Sequence, residues 1–122
     1  MKILSFLPCR AAVKGENGLW TIHDALPDRI TISPSEVLVP FCFLVTFALD
    51  EGEAPAAEEM AIRVVGPDYA CEMKVATVRL TEQNRVMAAV FDLKAEIRQA
   101  GGHRFELWLG AERALFWAFS VA

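Results

Sequence analysis

The stretch of sequence that decides the fold is VLVPFCFLVTFALD, residues 37–50. Its odd-numbered positions from 37 to 49 are all large and apolar, whereas its even-numbered positions are smaller and more mixed. This period of two is the pattern of a β-strand with one face in the core. β-Branched and aromatic residues dominate, and Pro40 would interrupt a helix, so a strand is predicted. Because proline cannot donate to a ladder, regular pairing is expected to begin after Pro40, or the strand lies at an edge there.

Short apolar runs separated by turn signals fill the rest of the chain. The turn signals are KGENG at 14–18, LPD at 26–28, SPSE at 33–36, DEGEAP at 50–55, GPD at 66–68, TEQN at 81–84, AGG at 100–102 and LGAER at 109–113. Turns at this spacing are typical of an all-β sandwich or barrel rather than of alternating strands and helices. We therefore predict an all-β fold, an antiparallel two-sheet sandwich of about seven to nine strands.

Two stretches leave the strand pattern open. In ACEMKVATVRL, residues 70–80, the apolar positions change face, which predicts a β-bulge near Ala76–Thr77. In VMAAVFDLKAEIRQAGG, residues 86–102, the second half alternates like a strand but also resembles a short helix that ends at a glycine. We expect a strand through about Leu93 and then an irregular or helical turn to Gly101.

Composition places the chain among folded globular domains. Of its 122 residues, 54% are apolar and 23% are charged, which is far from the range of disordered chains. One β-sandwich domain over residues 1–122 is expected. The formal net charge is −4, and lysines and arginines are scattered singly, so no nucleic-acid partner and no anionic membrane surface are predicted.

The cysteines and the first residues bear on the compartment. Cys9, Cys42 and Cys71 are widely spaced and form no Cys-x-x-Cys pair, so neither a disulfide framework nor a zinc site is predicted. MKILSFLPCRAA at 1–12 superficially resembles a lipoprotein signal, but its apolar run is short and Pro8 stands where a small residue is required. We expect a cytoplasmic protein with no membrane partner.

No constellation of residues indicates catalysis. His23 lies beside Asp24, but adjacent side chains of a strand point to opposite faces, so a hydrolase built on this pair is the least favoured hypothesis. His103 is expected to pack or cap locally. The acidic stretch DEGEAPAAEE, residues 50–59, lacks the spacing of a calcium loop and is interpreted as a solvated hairpin connection. We predict no enzymatic activity, no cofactor and no metal site.

The tryptophans suggest one binding hypothesis. Trp20, Trp108 and Trp117 would form a stacking platform for a glycan or another small ligand if they lay together on the surface. Trp108 shares its strand face with Glu106, so it is expected to be the most exposed of the three. A ligand platform at Trp108 is therefore the second functional hypothesis.

The end of the sequence, ALFWAFSVA at 114–122, suggests a protein-interface hypothesis. Nine residues are too few for a spanning helix, and a strand accounts for the pattern better than an amphipathic helix does. The predicted strand places Trp117 on the core face and Phe116 on the outer face, among small residues. Phe116, Ala114 and Ala118 are therefore the predicted protein-interface site.

Three stretches carry a resemblance to a known family. They are ILSFLPCRAAV followed by GLWTIHDALPDRIT, then VLVPFCFLVTFAL followed by MAIRVVGPD, and finally GGHRFELWLGAERALFWAFSV. With this order of strands and turns the sequence resembles an uncharacterised bacterial family of short, single-domain proteins. The resemblance implies an immunoglobulin-like β-sandwich, and it brings no activity, cofactor or functional residues.

Function is predicted from the high apolar content together with the missing catalytic constellation. These features favour a non-catalytic protein-interaction or scaffold module, with a protein partner or a second copy of the chain on exposed apolar surface or a sheet edge.

Overall fold

The structure is a computed structural model that describes residues 1–25, 29–31 and 38–122, with residues 29 and 30 described by their backbone alone. Over these ranges the chain forms strands and no helix. The strands are β1 (Lys2–Lys14), β2 (Trp20–Ala25), β3 (Arg29–Ile30), β4 (Leu38–Ala48), β5 (Ala56–Val65), β6 (Ala70–Leu80), β7 (Val86–Glu96), β8 (Gly101–Leu109) and β9 (Glu112–Val121). The predicted turns at 26–28 and 33–36 lie outside the described residues.

Two sheets make up the sandwich. One has the strand order β2-β1-β4-β7, and the other has the order β3-β9-β8-β5-β6. All described pairings are antiparallel except that of the two-residue strand β3, which runs parallel to β9. The prediction of an all-β, two-sheet sandwich is confirmed.

The core lies between the sheets and is centred on β4. Phe43, Val45 and Phe47 are completely buried, as the alternation in residues 37–50 predicts. From the opposite sheet, Phe105 packs edge-on against Phe43, with ring centroids 4.9 Å apart. Burial of this apolar surface is the main force that holds the two sheets together.

Pro40 lies where β4 has a neighbour on one side only. β4 pairs with β7 from Leu38 to Ala48, whereas its pairing with β1 ends at Cys9 opposite Cys42. Beyond that point β1 continues alongside β2 instead. Within the described residues β4 is therefore an edge at Pro40 on the side that β1 has left, which a residue without an N–H tolerates.

Two details of the predicted strands need correction. The bulge in β6 falls at Met73 rather than near Ala76–Thr77, because Ile62 pairs with Lys74 and Arg63 pairs with Glu72. The strand β7 extends to Glu96, and residues 97–100 are irregular, with a bend at 99–100 and no helical turn. Pairing with β4 as far as Leu38 extends the strand, so tertiary pairing overrides the local preference for a helix.

No described segment forms a helix long and apolar enough to cross a bilayer.

Candidate functional site

The two faces of strand β8 carry different kinds of side chain. His103, Phe105 and Leu107 face the core and are buried. Arg104, Glu106 and Trp108 alternate with them and therefore lie on the outer face of the five-stranded sheet.

Neighbouring strands add to this outer face. In the ladder, Glu106 stands between Phe116 of β9 and Arg63 of β5. Trp108 is opposite Arg113 of β9 in the same way. Directly opposed residues of an antiparallel pair point to the same face, so these side chains meet. We call this group the outer-face cluster, and its members are Arg63, Arg104, Glu106, Trp108, Arg113 and Phe116.

Glu106 lies at the centre of the outer-face cluster and is only 4% exposed. Its Oε2 atom accepts hydrogen bonds from Arg104 Nε at 2.7 Å and from Arg113 Nη1 at 3.3 Å. Its Oε1 atom accepts a hydrogen bond from Trp108 Nε1 at 3.0 Å. Burial acts to raise the pKa of Glu106, but these three donors outweigh burial and hold the pKa below its usual value. The carboxylate therefore fixes the positions of two guanidinium groups and one indole ring.

A β-bulge brings Arg113 to this face. Leu107 pairs with Leu115, but Trp108 pairs with Arg113, so Ala114 is the extra residue on β9. In a regular strand without a bulge, strict alternation would put Arg113 and Phe116 on opposite faces, because they are three positions apart in the sequence. In the structure the Arg113 Cζ atom lies 5.1 Å from the centroid of the Phe116 ring. The Arg63 Cζ atom lies 5.7 Å from the centroid of the Trp108 ring in a similar arrangement.

An open groove of about 720 Å³ adjoins the cluster. Phe116, Ala118 and Ser120 of β9 line one side of it. Arg104, Val65 and Pro67 contribute to its other parts. Among the described residues that line it, the groove therefore combines apolar surface with one guanidinium group and has no aspartate or glutamate side chain.

The structure brings together most of the predicted site residues. Phe116 is 56% exposed, and Ala118 lies in the groove beside it. Trp108, which belongs to the separate ligand hypothesis, is on the same face two positions along β8 from Glu106. Ala114 is not in this groove, because it is the bulged residue and lines a different cavity near Met1 and Gly110.

The tryptophans differ in surroundings more than in exposure. Trp20, Trp108 and Trp117 are all half-buried, so Trp108 does not stand out as a freely exposed ring. Its N–H is bonded to Glu106, and Arg63 lies over its ring. Trp117 stacks against Phe119 with ring centroids 5.4 Å apart, which confirms its place on the core face.

Sequence reasoning missed Glu106 and the three arginines. A signal is present in Arg104-x-Glu106-x-Trp108, where polar and charged residues alternate with the apolar residues of a strand. That pattern marks an outer face. It does not reveal that Arg113 and Arg63 meet Glu106, because cross-strand register cannot be read from one strand.

The two histidines and the acidic stretch 50–59 lie outside the outer-face cluster. His103 Nε2 lies 2.9 Å from the Tyr69 hydroxyl, and its Nδ1 lies 3.0 Å from the carbonyl oxygen of Gly101. His23 is exposed, and Asp24 forms an ion pair with Arg10 at 3.9 Å. In the acidic stretch 50–59, Asp50 pairs with Lys2 and Glu53 pairs with the N-terminal ammonium group. Among the described residues no group of three or more acidic, histidine or cysteine side chains is placed to hold a metal ion.

Comparisons with known proteins support the fold alone. No family model and no curated protein matches the sequence. A β-glucosidase from Listeria innocua in complex with glucose aligns with a TM-score of 0.57 and 13% identity, over 80% of this chain and 15% of that chain. The same enzyme in complex with gluconolactone aligns with a TM-score of 0.52 and 11% identity, over 97% of this chain and 16% of that chain.

A weaker likeness involves a different protein. The alkylpurine DNA glycosylase AlkC from Pseudomonas fluorescens, bound to DNA with an abasic-site analogue, aligns with a TM-score of 0.47 and 13% identity. That alignment covers 78% of this chain and 28% of that chain. This chain thus spans a small part of the length of each of these proteins.

Proposed function

We propose that this β-sandwich is a non-catalytic protein-interaction module whose contact surface is the outer-face cluster together with the adjoining groove. The observation that carries the proposal is the position of Phe116, a 56% exposed aromatic ring beside an arginine–tryptophan cluster. Tryptophan and arginine are the residues that most often dominate binding energy at protein interfaces, and aromatic residues in general are enriched there. The proposal covers a second copy of the chain as well as a different protein.

The cluster also has the rigidity that recognition requires. Trp108 and two arginines are held by one buried carboxylate, so they lose little conformational freedom when a partner binds. Burial of a phenylalanine side chain contributes roughly 1.5–3 kcal/mol, which makes Phe116 the natural anchor at the centre of the contact. The surrounding arginines would then form the polar rim.

The finer attributes of the module belong to the same proposal. We infer a cytoplasmic location, and the free thiols of Cys9, Cys42 and Cys71 are consistent with a reducing compartment. An immunoglobulin-like fold is part of the same proposal, and the two-sheet architecture supports it.

Site-specific photo-crosslinking in cells that produce the protein tests this function. A photoreactive phenylalanine analogue replaces Phe116 in one variant and Val86 in the other. Val86 is the matched control, because it is 57% exposed and begins β7 of the other sheet. We expect discrete crosslinked species from position 116 only, either with a second copy or with another protein. Equal crosslinking from the two positions, or none from position 116, would refute the proposed contact surface.

A further inference from the structure

The charge of the outer-face cluster indicates what kind of partner it fits. Arg104 and Arg113 share a single carboxylate oxygen of Glu106, so two positive charges face one negative charge. Arg63 has no ion pair within the described part of the chain, although Glu72 is its neighbour in the ladder. The cluster is thus positively charged on a chain whose formal net charge is −4.

Several guanidinium donors remain available for a ligand. Arg104 uses its Nε atom to bind Glu106, and its two Nη atoms donate no hydrogen bond to any described residue. Arg113 uses Nη1, and its Nε and Nη2 atoms donate no hydrogen bond within the described ranges. Two parallel N–H groups of one guanidinium match the two oxygens of a carboxylate, so Arg104 can bind an acidic side chain in a bidentate manner. Both arginines are nearly half exposed, which leaves them accessible from solvent.

The apolar part of the surface lies directly beside these donors. Arg113 lies over the ring of Phe116, so a side chain that packs against this ring also approaches a guanidinium group. From Phe116 through Ala118 to Ser120 the outer face of β9 extends over roughly 13 Å at about 3.3 Å per residue. That length accommodates about four residues of an extended segment. The small residues Ala118 and Ser120 leave room for its side chains.

We propose that the groove binds an extended protein segment in which an acidic residue adjoins a large apolar residue. The apolar side chain packs on Phe116 and Ala118, and the carboxylate pairs with Arg104 at the groove and Arg113 at its rim. This inference rests on the proposed function and adds the chemistry of the partner. It also disfavours face-to-face pairing of two copies, because such pairing would bring like-charged arginine clusters together.

Selection from a library of displayed random 12-residue peptides tests the inference. Peptides are sorted for binding to the wild-type chain and against binding to Phe116→Asp, with Val86→Asp as the matched variant that retains binding. Peptides that depend on Phe116 should carry aspartate or glutamate next to leucine, isoleucine, phenylalanine or tryptophan. Their synthetic forms should lose at least tenfold in affinity when the acidic residue is replaced by its amide.

Variants of the protein provide the reciprocal test. Arg104→Gln and Arg113→Gln should each weaken the selected peptides by about tenfold, and added salt should weaken them further. Arg10→Gln removes the same charge from an exposed arginine on β1 and should change affinity less than twofold. Circular dichroism and thermal melting establish that each variant is folded; Arg113→Gln, whose contact with Glu106 is the longer one, is the milder change.

The outcomes separate the two proposals. If Phe116-dependent peptides are neutral or basic, or if both arginine variants bind like the wild type, the acidic-segment inference is wrong while the interaction surface stands. If no peptide depends on Phe116 but crosslinking from position 116 still traps a partner, the inference is again overturned and the proposed function survives. If crosslinking from position 116 also fails, both are overturned.

Discussion

The outer faces of the two sheets differ in chemistry although they cover the same core. On the four-stranded sheet, small residues predominate around the β1–β4 pair: Cys9 is opposite Cys42, and Ser5 Oγ donates to Thr46 Oγ1 at 3.0 Å. On the five-stranded sheet, a buried glutamate holds arginines and a tryptophan beside an exposed phenylalanine. The difference shows that alternation alone does not make a face a binding surface. The binding surface that we propose also requires large side chains that a buried charge holds in place.

The core supports both faces, so its disruption should have the largest effect. Phe105 is completely buried and packs against Phe41, Phe43 and Phe119 with ring centroids 4.7–4.9 Å apart. Phe105→Ala should lower the free energy of unfolding by about 3–5 kcal/mol, because it removes an aromatic ring and leaves a cavity. Urea denaturation, monitored by tryptophan fluorescence, measures this loss in the free energy of unfolding. A loss below about 1 kcal/mol would mean that the two sheets do not share this core.

A charge on the core side of β9 should be nearly as damaging. Trp117 stacks on Phe105 and Phe119, so Trp117→Asp places a carboxylate among apolar rings. We expect a loss of about 3 kcal/mol or more in the free energy of unfolding, enough to unfold a marginal domain. Far-UV circular dichroism of the purified variant detects it. A native spectrum with an unchanged melting temperature would contradict the assignment of Trp117 to the core face.

The next largest effect is expected at Glu106. Its buried carboxylate distinguishes the outer face of the five-stranded sheet from that of the four-stranded sheet. Glu106→Gln should lower the free energy of unfolding by about 2 kcal/mol, because charged hydrogen bonds to two arginines become neutral ones. The folded-state pKa of Glu106 is lowered, so its stabilisation is present above the unfolded value of 4.5 and is lost as pH falls through the folded pKa. Acid unfolding curves of both proteins measure this. The wild type should lose more stability than the variant on acidification. Equal losses would refute a stabilising role of the ionised Glu106 carboxylate.

The buried thiols of the four-stranded sheet should react slowly with alkylating reagents. Burial, followed by the neighbouring Cys9 thiol and Asp92, raises the pKa of Cys42 to about 12. At pH 8.5 only about three molecules in ten thousand would carry this thiolate, so iodoacetamide should alkylate Cys42 at least about 100-fold more slowly in the native chain than in urea. Peptide mass spectrometry follows each site.

The raised pKa of Cys42 also predicts that the stability of the fold declines at alkaline pH. The folded state holds this proton more tightly, so its stabilisation is complete below the unfolded pKa of 9.0 and is lost as pH rises toward about 12. Replacement of Cys42 by alanine should flatten the decline in stability above pH 9. An equally steep decline in the variant would show that this thiol is not responsible.

The smallest effect on stability is expected at Phe116. Because this ring is 56% exposed, Phe116→Asp should change the free energy of unfolding by less than about 0.5 kcal/mol. It should nevertheless dissociate any assembly that uses this face, which light scattering of the folded variant measures against Val86→Asp. A variant that unfolds would place Phe116 in the core, contrary to the alternation with Trp117.

The sequence was most informative where one strand carries the whole signal. Alternation in residues 37–50 is sufficient to predict β4, and the contrast of Phe116 with Trp117 is sufficient to predict which ring faces outward. The extent of β7 could not be predicted, because pairing with β4 determines it. The position of Arg113 could not be predicted either, because it depends on a bulge opposite Leu107 and Trp108. Single-strand patterns give the face of a residue, whereas register gives its neighbours.

The bulge at Ala114 also determines where β9 tolerates a change in length. Removal of Ala114 would leave Arg113 opposite Trp108 and Leu115 opposite Leu107, so every side chain would keep its face. Removal of Ala118 would shift Phe119 and Val121 by one position and turn both out of the core. Ala114 can therefore be deleted without turning core side chains outward, whereas Ala118, four positions further along the same strand, cannot.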